Sequence, residues 1–210
     1  MAAVMDDFLN KNVTCKLCAT DFETLMARKS KQAIVKTDPD FCTHYENEVP
    51  FYYYIFVCPQ CGYAFLENFK EPGEKMKEKI EPLPEDMSGK RDNNLAEKAY
   101  LRAIECARMQ RESDAVMASL YLQLAWIYRF RGDEESELAA LNEALGYYID
   151  VYEKSDLEDV SKVLYLIGEL NRRLGRNKDA VFWFSRVAND QDCSQAMRHR
   201  ARQAWQSLRE

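Results

Sequence analysis

Histidine is scarce in this chain: His44 and His199 are the only two among 210 residues. The sequence also lacks a glycine-rich phosphate loop and a G-x-S-x-G elbow, so the usual signatures of nucleotide binding and serine hydrolysis are missing. Long apolar runs are absent too. The longest, Phe51 to Cys58, falls far short of the ~18 residues that a membrane-crossing helix needs. The N-terminal stretch MAAVMDDFLNKN places acids where a signal or transit peptide carries cations and an apolar core. The expectation is therefore a cytoplasmic protein with no membrane partner. The cysteines number seven. An odd count in such a protein argues against a disulfide framework and for metal ligation plus leftover thiols.

Apolar residues make up 47% of the chain and charged residues 30%, the balance of a globular protein and not of a disordered one. The net charge of −6 hides an asymmetry. Residues 93–160 carry 7 basic and 14 acidic groups, whereas residues 161–210 carry 10 basic and 5 acidic. An acidic segment thus precedes a basic one, which can steer partners or hold neighbouring helices in register.

Two halves follow different patterns. Residues 1–70 read as strands and turns, with short runs on either side of Arg28-Lys29-Ser30-Lys31 and a β-prone aromatic strand, FYYYIFV, at Phe51–Val57. Residues 71–92 hold three prolines and two glycines among many charges, which predicts a linker with one helical turn around Lys75 to Lys79. Residues 93–210 switch to a 3.6-residue period. Tyr121, Leu124, Ala125 and Tyr128 have the spacing of a tetratricopeptide first helix, and Arg131-Gly132-Asp133 supplies a turn. Leu164, Ile167 and Gly168 repeat it, with Leu174-Gly175-Arg176 as the second turn. The second-helix signature A-x3-F appears as Ala180/Phe184 and, from an earlier unit, as Ala96/Tyr100. Small residues at these positions let paired helices approach while large ones fill the gap. The turns are 43 residues apart, beyond the ~34 of a standard unit, so elongated helices are expected around LGYYIDVYEKSDLED. Residues 194–210 form a last helix. The fold class is α+β: a small β zinc ribbon, then an all-α tetratricopeptide-like helical-hairpin array.

The chemistry concentrates in cysteine. Cys15-Lys16-Leu17-Cys18 and Cys58-Pro59-Gln60-Cys61 are two C-x2-C pairs with 39 residues between them. Each pair can set two thiolates on one tight turn, and two such turns complete a tetrahedral S4 site for one structural Zn2+. Gly62 supplies a position for φ > 0 that turns backbone amides toward the sulfurs. A thioredoxin-like redox pair fits less well, since it needs a single C-x-x-C opening a helix. The long gap implies an inserted hairpin, DPDFCTHYENE. There Cys42 and His44 are possible additional or substitute metal ligands; the plainer reading packs Cys42 under the hairpin and leaves His44 as a surface or hydrogen-bonding residue. Cys106 and Cys193 read as small buried hydrophobes.

These residues resemble a known family. The run Asp38, Asp40, Phe41, Cys42, Tyr45, Val57 to Cys61, Gly62, Tyr63 and Ala64, together with VTCKLC upstream, is similar to the bacterial domain of unknown function 2225. That resemblance spans essentially the whole chain and implies an N-terminal zinc-ribbon-like region joined to tetratricopeptide-like helices. Lys16-Leu17 departs from a pattern in which a proline is common, and Thr43-His44 departs after Cys42. The family implies no activity.

Three functions are compatible with these features. The first, preferred, is a non-enzymatic zinc-binding adaptor whose helical array docks a protein or peptide. The second is nucleic-acid binding, with Tyr52, Tyr53 and Tyr54 as stacking platforms and Arg198, Arg200 and Arg202 as phosphate contacts. Residues 1–70, with 7 basic and 9 acidic groups, lack the cationic footprint this requires. The third is a thiol or metal-dependent enzyme using Cys42 and His44, for which no general base is placed by the sequence.

Overall fold

The computed structural model describes residues 7–76, 78–154 and 159–208. The remainder includes the start of the N-terminal stretch, Lys77 of the expected linker turn, the end of the repeat insertion and the last two residues. Those parts of the expectations lie outside the described residues.

Three two-stranded antiparallel pairs precede six helices among the described residues, an α+β layout. Strand β1 (Phe8–Thr14) pairs with β2 (Asp21–Ala27) from Phe8↔Ala27 to Thr14↔Asp21. The inserted hairpin is β3 (Ile34–Thr37) against β4 (Thr43–Tyr45), closed by Thr37↔Thr43. Strands β5 (Phe56–Val57) and β6 (Ala64–Phe65) are two residues each.

The aromatic stretch differs from expectation. Pro50–Tyr53 is a 3-10 helix, and only Phe56–Val57 is strand. Phe51, Tyr52, Tyr53, Ile55, Phe56 and Val57 are all buried, so no face alternates with solvent as it would in a half-buried strand. The carbonyls that a ladder would engage are taken elsewhere. Tyr100 Oη donates to the Phe51 carbonyl at 2.8 Å, and the Arg91 guanidinium donates to the carbonyls of Tyr52 (3.1 Å) and Ile55 (2.7 Å). Arg91 is only 4% exposed and also bonds the Met87 carbonyl. Burial lowers its pKa to about 10, yet the carbonyls satisfy its donors.

The helices are α1 (Asn93–Met109), α2 (Asp114–Arg131), α3 (Glu134–Lys154), α4 (Ser161–Arg173), α5 (Asn177–Asn189) and α6 (Gln195–Ser207). Asp92, Ser113 and Ser194 cap α1, α2 and α6 by accepting from Leu95, Val116 and Met197 amides. Gly132 and Gly175 end α2 and the α4 turn with φ of 75° and 72°. Each helix packs on the next in chain order. At 21 residues, α3 is the longest. Gly168 on α4 lies against Phe184 on α5, where an added Cβ would come within 2.8 Å of the ring. The small residue is what lets these two helices approach.

One buried cluster contains Phe8, Tyr53, Val57 and Phe65 from the strand region together with Tyr100, Leu124, Leu141 and Ile167 from the helices. A second lies among α4, α5 and α6, around Tyr165, Phe184, Val187 and Ala201. Among the described residues no helix is long and apolar enough to cross a membrane.

Candidate metal centre and the hairpin beside it

Two six-residue turns build the cysteine cluster. One, Cys15–Thr20, joins β1 to β2; the other, Cys58–Tyr63, joins β5 to β6. They are built alike. In the first, the Cys15 amide donates to Thr20 O and the Ala19 amide to Cys15 O, each at 2.9 Å. In the second, the Cys58 amide donates to Tyr63 O and the Gly62 amide to Cys58 O, again at 2.9 Å. The fifth residue of each turn is left-handed, Ala19 with φ 58° and Gly62 with φ 73°. The left-handed geometry expected at Gly62 is present. At Ala19 the same geometry is held by a residue that does not favour it. Gly62 is required sterically as well, because a Cβ there would sit 2.0 Å from Glu81 O.

The turns face one another and bring Cys15, Cys18, Cys58 and Cys61 together, all four sulfurs within 4.8 Å. Across the cluster Cys15 Sγ lies 3.7 Å from Cys61 Sγ, and Cys18 Sγ lies 3.6 Å from Cys58 Sγ. A tetrahedron with bonds of ~2.3 Å has sulfur–sulfur edges of about 3.8 Å. The cluster is geometrically suited to a metal ion.

Its electrostatics point the same way. The neighbouring Cys58 thiol and burial push Cys15 far above the ordinary thiol range, against the pull of the Cys18 and Leu17 amides. Burial pushes Cys61 up to about 12, with the Tyr63 amide opposing. Amides directed at sulfur favour thiolates, but crowded thiolates out of water also need a cation.

Cys42 and His44 stand apart from this clip, in a second group with Asp38 whose ligand atoms lie within 4.8 Å of one another. Cys42 is fully buried, and burial raises its thiol to about 12. His44 Nε2 is 2.8 Å from Asp38 Oδ2, and its ring packs on Phe130. Phe41, with φ 68°, points its ring at Tyr165, with Lys162 and Arg200 above the ring at 5.1 and 5.3 Å.

The residue that fixes this hairpin is Asp40, whose role the sequence did not disclose. Its side chain is fully buried. It accepts from Arg129 Nη2 at 2.6 Å and Nη1 at 3.2 Å, from Trp126 Nε1 at 3.1 Å and from the Cys42 amide at 3.3 Å. Arg173 Nε lies 3.3 Å away. Arg129 also bonds Asp38 (3.0 Å) and Glu137 (2.8 Å). Arg172 and Arg173 hold the fully buried Glu169 at 2.7 to 3.1 Å. The available signal was Glu169 itself, an acid between Gly168 and Leu170 in an apolar stripe, where an unpaired charge would be costly.

A family match accompanies this geometry. The chain belongs to the family described as uncharacterized protein conserved in bacteria (DUF2225), which matches residues 8–208. No curated protein matches the chain significantly, and no solved structure does.

Proposed function

We propose that this chain is a non-enzymatic interaction module whose strand region is stapled by one structural Zn2+ held by Cys15, Cys18, Cys58 and Cys61. The observation that carries the reading is the pair of matching turns, which present four sulfurs at edges of 3.6 and 3.7 Å. Four thiolates favour a soft tetrahedral ion and fill every coordination position, leaving none for water or substrate. The helices, tetratricopeptide-like in their spacing, supply the docking surface. A groove of about 380 Å3 runs between α1, α2 and α3, lined by Leu101, Tyr121, Leu124, Tyr128 and Ala140 with Glu143 at its side. Tyr121, Leu124, Tyr128 and Ala140 form its buried floor, and Leu101, 46% exposed, offers an apolar contact to the apolar face of a peptide or helix.

The nucleic-acid reading has less support. Tyr52 and Tyr53 are buried and cannot stack on bases. Arg200 sits over Phe41, and Arg202 donates to the Ala188 carbonyl.

Two measurements test the proposal. Elemental analysis after gel filtration should give one tightly held zinc per chain, lost in Cys58→Ser; a folded chain without zinc would refute the staple. Capture of partners from a bacterial extract should survive nuclease treatment and weaken with Leu101→Glu in the groove. Capture abolished by nuclease would favour nucleic acid instead.

A further inference from the structure

We propose a second, exchangeable metal site, made by Asp38, Cys42 and His44, which takes a divalent ion of the zinc class. It shares no residue with the cysteine clip, so it stands or falls independently of the function proposed above.

The three side chains belong to three steps of one hairpin. Asp38 and Cys42 bound its turn, where the Asp38 amide donates to Cys42 O at 2.8 Å, and His44 follows on β4. Their ligand atoms all lie within 4.8 Å of one another. The 2.8 Å hydrogen bond between His44 Nε2 and Asp38 Oδ2 already sets the imidazole nitrogen beside the carboxylate. A divalent ion would displace the Cys42 thiol proton to solvent and take the place of the Nε2 proton, which moves to Nδ1. It would be bound by the neutral imidazole, one carboxylate oxygen and the Cys42 thiolate.

The surroundings supply the outer support such a site needs. Arg129 Nη1 bonds Asp38 Oδ2 at 3.0 Å and would hold the carboxylate in place beside the ion. Phe130 fixes the imidazole plane, with ring centroids 4.8 Å apart. The local charge also suits a cation. Four carboxylates, from Asp38, Asp40, Glu137 and Glu169, share three guanidiniums, from Arg129, Arg172 and Arg173. The cation nearest the remaining charge is Lys36, 3.4 Å from Asp38 Oδ1 with a side chain 62% exposed. With that lysine turned out to solvent, a divalent ion with a thiolate ligand would add one positive charge and take its place.

Three mixed ligands leave one position of a tetrahedron for water. The Asp38 and His44 side chains, 13% and 24% exposed, open that side to solvent. These features make an exchangeable site, unlike the closed tetrathiolate clip.

Cobalt tests the assignment. Zinc-loaded protein freed of loose metal by gel filtration is titrated with Co2+, and the near-ultraviolet thiolate-to-cobalt band is recorded. One further equivalent should bind with that band. Cys42→Ser should abolish it, while His44→Ala and Asp38→Asn should each weaken binding by at least about tenfold. His44 lies partly at the surface, so His44→Ala tests the site without opening the core, and far-ultraviolet circular dichroism checks its fold. No thiolate band in the unaltered protein, even at saturating Co2+, overturns the proposal. So does a band that His44→Ala leaves at unchanged affinity.

Discussion

Removing the Asp40 carboxylate should unlock the inserted hairpin from the helices. Its side chain is fully buried and accepts hydrogen bonds from Arg129, Trp126 and the Cys42 amide, with Arg173 Nε 3.3 Å away. In Asp40→Ala the Arg129 and Arg173 side chains, 14% and 18% exposed, would keep their charge out of water with one partner fewer. Deleting one member of a buried ion pair costs about 3–5 kcal/mol. The remaining acids, Asp38, Glu137 and Glu169, moderate the loss and place the expectation toward about 3 kcal/mol. For a chain of this size each kcal/mol moves the melting point by roughly 2–4 °C, so a fall of roughly 6–12 °C is expected. Urea unfolding at neutral pH, followed by circular dichroism and by Trp fluorescence, measures it, since Trp126 donates directly to Asp40. Asp40→Asn should lose less, because it keeps the shape and one acceptor. A loss below about 1 kcal/mol, the scale of a surface ion pair, would refute the view that this network anchors the hairpin.

Other substitutions probe the remaining joints. Gly62→Ala should lower stability by about 2 kcal/mol or more and weaken binding of the proposed zinc, as it adds a left-handed penalty to a contact 2.0 Å from Glu81 O; Ala19→Gly should be neutral or stabilising, read by thermal melts and metal content. Gly168→Val should cost about 1–3 kcal/mol by overpacking against Phe184, visible in the urea midpoint with zinc content unchanged. Arg91→Met should leave buried carbonyls of Tyr52, Ile55 and Met87 unpaired, at about 1–3 kcal/mol for each such group, and a stability equal to the parent's would contradict its clamping role. Because residues from both halves share one buried cluster, the zinc-loaded protein should unfold in a single calorimetric transition; two separated transitions would show that the strand region and the helices fold independently.

Some of this is legible in the residues alone. A C-x2-C pair fixes its own geometry, because a six-residue turn with a left-handed fifth position brings its two sulfurs to one side whatever surrounds it. The spacing of two such pairs was therefore enough to nominate Cys15, Cys18, Cys58 and Cys61, and the structure brings them within 4.8 Å. Helical periodicity is equally local, so the small and large positions that pack α4 on α5, Gly168 and Phe184, could be read from the 3.6-residue period, the tetratricopeptide spacing and two turn glycines. Phe51–Val57 could not. Its residues favour a strand, but Tyr100 and Arg91, more than thirty residues downstream, take its carbonyls and leave a 3-10 turn. Asp40 looks in sequence like a solvated hairpin acid. Only the fold brings Arg129 and Arg173, 89 and 133 residues away, to a carboxylate that water no longer reaches. Where the controlling interactions span a turn or two, composition and spacing determine the outcome. Where the partner of a charge or a carbonyl comes from a distant helix, only the tertiary structure decides it, because burial sets the cost of leaving that group alone.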